Sequence, residues 1–383
     1  MSISSAPPSV SQQSAPTTGG PEHAGAQSSL RSFYDLLYKE KVFLVVMTLS
    51  VILTGAVYDQ PQIAMWVGFL FAGYSAVAND SIQTIGTFIS SNRETAWWKL
   101  WLFIGGIFVV TMVGGWFAYN GDVSYGRLSS KGFETAPTSF AFLHVAAPLV
   151  LMLLTRMRMP VSTTFLLLSS FATTGKGIWD ITLKSVSGYV IAFGVAMAVW
   201  MTLGPAMKRI FVGAAHPAWR IGQWLSSGVL WAVWLAQDAA NIAVYLPRQL
   251  GVGELVVFVG SVFCGLGLLF WQGGERIQEV VNEKSAVVDV RPATVIDFVY
   301  AMILLVFQVW SEVPMSTTWV FVGLLGGREL AMALRNANED GRSVGTALRM
   351  MGRDLVYVTI GFLVALAVAA GSNPVVKDAL FNQ

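Results

Sequence analysis

Apolar residues run in long blocks along most of the chain, and polar residues are confined to short interruptions between them. Blocks near residues 42–58, 63–91, 97–117, 140–155, 161–174, 186–207, 219–246, 254–271, 294–310, 314–327 and 354–371 each read as a membrane helix or part of one, since about 20 apolar residues span a bilayer. Some of these lengths are anomalous. Residues 63–91 would make a straight helix of about 43 Å against a hydrocarbon core of about 30 Å, so a break is expected at the polar run 79–87. Residues 219–246 are over-long in the same way. Conversely, 161–174 and 314–327 are too short to cross comfortably and read as half-helices or one arm of a re-entrant hairpin. Ahead of the first block, residues 1–30 are rich in Ser, Pro, Gln, Ala and Gly, the composition of a disordered tail. Residues 31–58 read as a short surface helix leading into the first span.

Composition sharpens the class. Of 383 residues, 54% are hydrophobic and only 12% charged, about half the charge of a soluble domain. The fold class expected is an all-α polytopic membrane protein, multi-pass in the cell (inner) membrane. The single cysteine, Cys264, excludes an internal disulfide and a thiolate metal cluster. Basic residues are scattered between apolar blocks, which argues against nucleic acid as a partner. With the N-terminus cytoplasmic, all of the 24 Lys and Arg residues except Arg127, Lys131, Lys176, Lys184, Arg248 and Lys377 fall inside. No phosphate-cradling Gly loop, His-Glu-x-x-His or nucleophile elbow is present, so neither an enzyme nor ATP coupling is expected.

Two polar motifs interrupt the apolar blocks, and each occurs twice. Asn79-Asp80 followed by Gln83 is echoed by Gln237-Asp238 followed by Asn241, 158 residues later. Pro160-Val161-Ser162-Thr163-Thr164 is echoed by Pro314-Met315-Ser316-Thr317-Thr318, 154 residues later. Two motifs at nearly one spacing indicate an internal duplication, with repeats at 63–208 and 219–372. Five segments per repeat is an odd number, so the second repeat enters the membrane from the opposite side. That parity predicts inverted topology with a midplane site on discontinuous helices. Carboxylates below the lipid surface are by default functional. Proline suits the first turn of a helix, so each Ser-Thr-Thr lies near a helix N-terminus, where free N–H groups and hydroxyls suit an oxyanion. The amide–Asp motifs supply hard oxygen ligands suited to Na⁺ or to a proton. Oxyanion donors beside cation ligands are what a symporter needs.

These motifs resemble those of the inorganic phosphate transporter family, which includes phosphate permeases and some sulfate permeases. Gly274-Glu275-Arg276 and Arg291-Pro292-Ala293-Thr294 extend the likeness, which covers roughly residues 63–371. The resemblance implies an oxyanion site at Asp80, Ser162, Thr163, Thr164, Asp238, Ser316, Thr317 and Thr318. It implies cation ligands among Asn79, Asp80, Gln83, Gln237, Asp238 and Asn241. Gln83 and Gln237 depart from the family's Asn, moving an amide outward by one methylene. Phosphate is the expected substrate, with sulfate the alternative. Na⁺ or H⁺ is the coupling ion, with no cofactor, and a homodimer is left open. A channel, sensor or complex subunit that kept the fold is the reading from another class. Elsewhere, His144 reads as a packing residue, Asp297 and Glu312 as solvated span ends, and Trp97, Trp98, Trp101 and Trp116 as interfacial anchors. Residues 328–353 read as a solvated cytoplasmic connection.

Overall fold

A computed structural model describes residues 38, 40–129, 133–157, 159–272, 289–310, 315–335 and 343–381. The expected tail at 1–30, Lys131, Glu312, Pro314 and the stretch 274–281 lie outside the described residues. The chain divides into two compact units, Met1–Ser50 and Val51–Gln383, and every motif residue belongs to the second.

Among the described residues the regular structure is helical, with no strand, as a lipid-embedded backbone requires. Helix α1 spans Lys41–Val57 and α2 Pro61–Ala76; a π-helical turn, Val77–Ser81, joins α2 to α3, Ile82–Ser91. There follow α4 (Trp97–Ala118), α5 (Phe142–Arg156) and the short α6 (Thr163–Leu167), which tightens into a 3₁₀ turn at Leu168–Phe171. Next come α7 (Gly175–Ile210), α8 (Ala218–Ala243), α9 (Val252–Trp271), α10 (Val290–Trp310), α11 (Thr317–Leu334), α12 (Val344–Ser372) and α13 (Pro374–Phe381). Among the described residues, six runs are long and apolar enough to cross a membrane: Pro61–Ser81, Trp97–Ala118, Gly175–Met207, Val252–Trp271, Val290–Trp310 and Val344–Ser372.

The anomalous lengths resolve in different ways. The break expected in 63–91 is the π turn, which starts at Val77 and carries Asn79 and Asp80. The break expected in 219–246 is absent: α8 is one unbroken α-helix through Asp238 to Ala243. Residues 161–174 do form a short helix and 3₁₀ turn. Residues 314–327 do not form a half-helix, because α11 continues to Leu334. Arg328 is buried inside that helix, ion-paired with Glu329 at 2.5 Å, rather than opening a solvated loop. Arg349 and Arg353 likewise lie on α12.

Helix α11 packs along α7, and α8 along α10; α2 lies against α5, α6 against α12, and α4 against α9. The α7–α11 contact is very close. A Cβ at Gly323 would sit 2.4 Å from the Tyr189 carbonyl oxygen, and one at Gly327 would sit 2.3 Å from that of Phe193. Small residues four apart let two backbones meet, the packing mode of membrane helices.

Candidate functional site

The site is built from the two helix starts at 163 and 317, the π turn and the C-terminal turns of α8. Each Ser-Thr-Thr divides its labour. Ser162 and Ser316 are N-caps, accepting from Phe165 N–H at 3.2 Å and Trp319 N–H at 3.3 Å. The third residue of each run ties the two halves together. Thr164 Oγ1 donates to the Met315 carbonyl at 3.1 Å, and Thr318 Oγ1 donates to the Val161 carbonyl at 3.3 Å. These bonds exchange under the 154-residue correspondence, the mark of an isologous contact. The middle residues, Thr163 and Thr317, point into the site: Thr163 towards Asp80 and Thr317 towards Asp238. Thr317 Oγ1 accepts from Trp234 Nε1–H at 3.2 Å, and the Thr317 carbonyl accepts from the Tyr300 hydroxyl at 3.1 Å.

The amide–Asp motifs behave alike up to a point. Asn79 Nδ2–H donates to Asp80 Oδ1 at 2.6 Å, and Asn241 Nδ2–H donates to Asp238 Oδ1 at 2.7 Å. Asn79 also donates to the Val161 carbonyl at 3.0 Å and accepts from Gln83 Nε2–H at 3.0 Å, so Gln83 braces Asn79. Gln237 Nε2–H instead donates to the Leu304 carbonyl of α10 at 2.9 Å. The two carboxylates lie close enough for their charges to interact.

All twelve motif residues are at most 5% exposed. Yet among the described residues Asp80 Oδ2, Thr163 Oγ1, Gln237 Oε1, Asp238 Oδ2 and Asn241 Oδ1 have no hydrogen-bond partner. Buried polar atoms are normally paired, and each exception calls for an explanation. Four of the five are acceptor oxygens of carboxylates and amides, a hard donor set that fits a small cation. A cavity of about 20 Å³ beside Asp238 and Ser81 is walled mainly by apolar side chains such as Phe108, Met112 and Trp231.

Residues outside the motifs differ in their surroundings. Asp297 on α10, expected to be solvated, is 1% exposed. The Thr87 hydroxyl of α3 donates to its Oδ1, and Ser227 of α8 donates to its Oδ2 at 2.5 Å. Its place inside an apolar helix was the available signal. Arg127, buried at 3%, donates Nε–H to the Ala236 carbonyl at 3.0 Å. Nothing in its local sequence marks that destination. His144 packs as expected, its ring stacked on Phe171 at 4.7 Å with Nε2 against the Ser170 carbonyl at 3.0 Å. Of the expected anchors, Trp97 and Trp98 are exposed, while Trp101 and Trp116 donate to the Phe263 and Leu250 carbonyls at 3.0 and 2.7 Å.

No protein-family model matches the chain, and no curated protein matches it. A solved structure titled "The sodium-dependent phosphate transporter" is similar in fold, with a TM-score of 0.56 and 19% identity. The match covers 83% of this chain and 98% of that one. At this identity the likeness is one of architecture: the chain has an all-α polytopic membrane fold similar to that structure's.

Proposed function

We propose that this chain carries inorganic phosphate across the membrane by symport with Na⁺, through a site between two inverted repeats. The observation that supports this most is the pairing of unpartnered carboxylate and amide oxygens with two inward-facing threonines, sealed in a membrane interior. Such groups are costly to bury without a ligand that uses them. The exchange-related bonds Thr164–Met315 and Thr318–Val161 favour a repeat axis through that point. The printed title of the similar structure names sodium and phosphate, in keeping with both ligands.

Selection of phosphate over sulfate follows from proton count. At neutral pH phosphate keeps at least one O–H and sulfate keeps none. A carboxylate oxygen facing the anion accepts that O–H but repels sulfate, a mismatch that discriminates strongly in a buried site. The test is uptake of labelled phosphate into proteoliposomes with and without an inward sodium gradient. Accumulation against the phosphate gradient, competed by arsenate and not by sulfate, is expected. Equilibration without accumulation points to a channel; competition by sulfate alone makes the chain a sulfate permease.

A further inference from the structure

Duplication gives the site two equivalent threonines, Thr163 and Thr317, and the chain holds them differently. Thr317 is fixed from two sides. Its hydroxyl oxygen accepts from Trp234 Nε1–H at 3.2 Å, and its carbonyl accepts from the Tyr300 hydroxyl at 3.1 Å. The indole that holds it is itself anchored. Trp234 stacks on Trp231 with ring centroids 4.9 Å apart and planes 6° from parallel, and Trp231 Nε1–H donates to the Ile104 carbonyl of α4 at 3.0 Å. Both tryptophans are buried in the turns of α8 that precede Gln237, and Trp234 walls the cavity beside Asp238.

The first repeat has no counterpart to either brace. The residue 158 places before Trp234 is Ala76, and the residue 154 places before Tyr300 is Ala146. Neither alanine has a side-chain donor, and among the described residues Thr163 Oγ1 meets no hydrogen-bond partner. The repeats share the hydroxyl and differ in what holds it.

That difference has a chemical consequence. A hydroxyl has one hydrogen to give and two lone pairs to receive with, whereas an indole N–H only donates. With Trp234 on one lone pair, the Thr317 hydrogen cannot point back at the indole and is left for an acceptor elsewhere. The bond from the indole also polarises the hydroxyl and strengthens the one it donates in turn. A group held in this way is preorganised, so less conformational freedom is lost when a ligand arrives.

We infer that Trp234 is a positioning residue for the oxyanion: it commits the Thr317 hydroxyl to donation, while Tyr300 fixes the helix start that carries it, and Thr317 is thereby the stronger of the two threonine contacts. The inference rests on phosphate transport through this site and names the hydroxyl that contributes more of the anion's affinity.

The test uses the full chain in proteoliposomes with labelled phosphate. Trp234→Phe keeps an aromatic ring against Trp231 and removes the N–H. It is expected to raise the phosphate KM about threefold to tenfold, the effect of losing one hydrogen bond, with a smaller change in kcat. Double variants separate positioning from packing. In a Thr317→Val background, Trp234→Phe is expected to raise KM no further; in a Thr163→Val background its effect is expected to persist in full. An unchanged KM in Trp234→Phe overturns the inference, as do equal effects in the two backgrounds. Should Trp234→Phe fail to insert, the single threonine variants decide: Thr317→Val is expected to raise KM more than Thr163→Val, and equal rises sink the idea. A wild-type chain that takes up no phosphate overturns the transport reading and the inference together, whereas wild-type uptake matched by Trp234→Phe overturns the inference alone.

Discussion

Within each Ser-Thr-Thr the three hydroxyls do three different jobs, because successive helical residues point about 100° apart. The first caps, the second faces the carboxylates and the third reaches the other half of the chain. Thr163→Val and Thr317→Val are therefore expected to raise the half-saturating phosphate concentration with the fold intact, by about 1–3 kcal/mol if a buried partner is left unpaired. Thr318→Val should instead lower thermal stability by removing a bond between the two motif copies, and Thr164→Val should do both, since its hydroxyl also faces Asp238. Equal losses of affinity in all four variants would mean that the hydroxyls are interchangeable. Asp80→Asn and Asp238→Asn are both expected to abolish sodium-driven accumulation while the protein still inserts. Wild-type uptake by either variant would remove that carboxylate from the mechanism.

Helices α7 and α11 show how an element is specified by what is missing. Gly323 and Gly327 lie one turn apart against the carbonyls of Tyr189 and Phe193, and no side chain fits between. Gly327→Ala forces the two backbones apart, at a cost of about 1–3 kcal/mol typical of overpacking. Because α11 begins at the Thr317 site, the same change is expected to weaken phosphate binding as well as lower the melting temperature. An unchanged melting temperature would show that this contact yields without cost. The π turn works differently: it holds Asn79 and Asp80 on a widened stretch of backbone, a feature frequent at functional sites.

Across the whole molecule, long-range bonds tie loops together at two places. At one, Arg248 donates to the carbonyls of Phe133 and Thr135 at 2.9 and 2.8 Å, joining the loops after α4 and α8. At the other, Asn92 and Gln223 pair at 2.8 Å, and Arg291 reaches the Gly213 carbonyl at 3.1 Å. Under the proposed transport, the loops at both places open in turn around the buried site. In a Cys264→Ser background, exposed Ser139 and Gln249 changed to Cys are expected to react with an impermeant reagent from outside the cell. Cysteines at exposed Glu94 and His216 are expected to react only from the cytoplasm. Labelling of all four from one face would contradict the proposed orientation.

The helical membrane architecture was legible in the apolar blocks, because lipid leaves the backbone no partner but itself. The motif residues were legible too, since duplication sets Asp80 beside Asp238 and Thr163 beside Thr317 in correspondence before any coordinate is known. Other features depended on packing. Periodicity marks a helix but not its breaks by itself: residues 63–91 needed a π turn at Val77, while α8 carried its own Gln-Asp motif without one. Arg127 sits in a polar loop whose local sequence says nothing of where its guanidinium ends, and only the folded loop brings it to Ala236. Asp297 looked like a solvated span end until Thr87 and Ser227, 210 and 70 residues away, closed over it. Contacts of that separation depend on how helices pack, and no local pattern of residues encodes them.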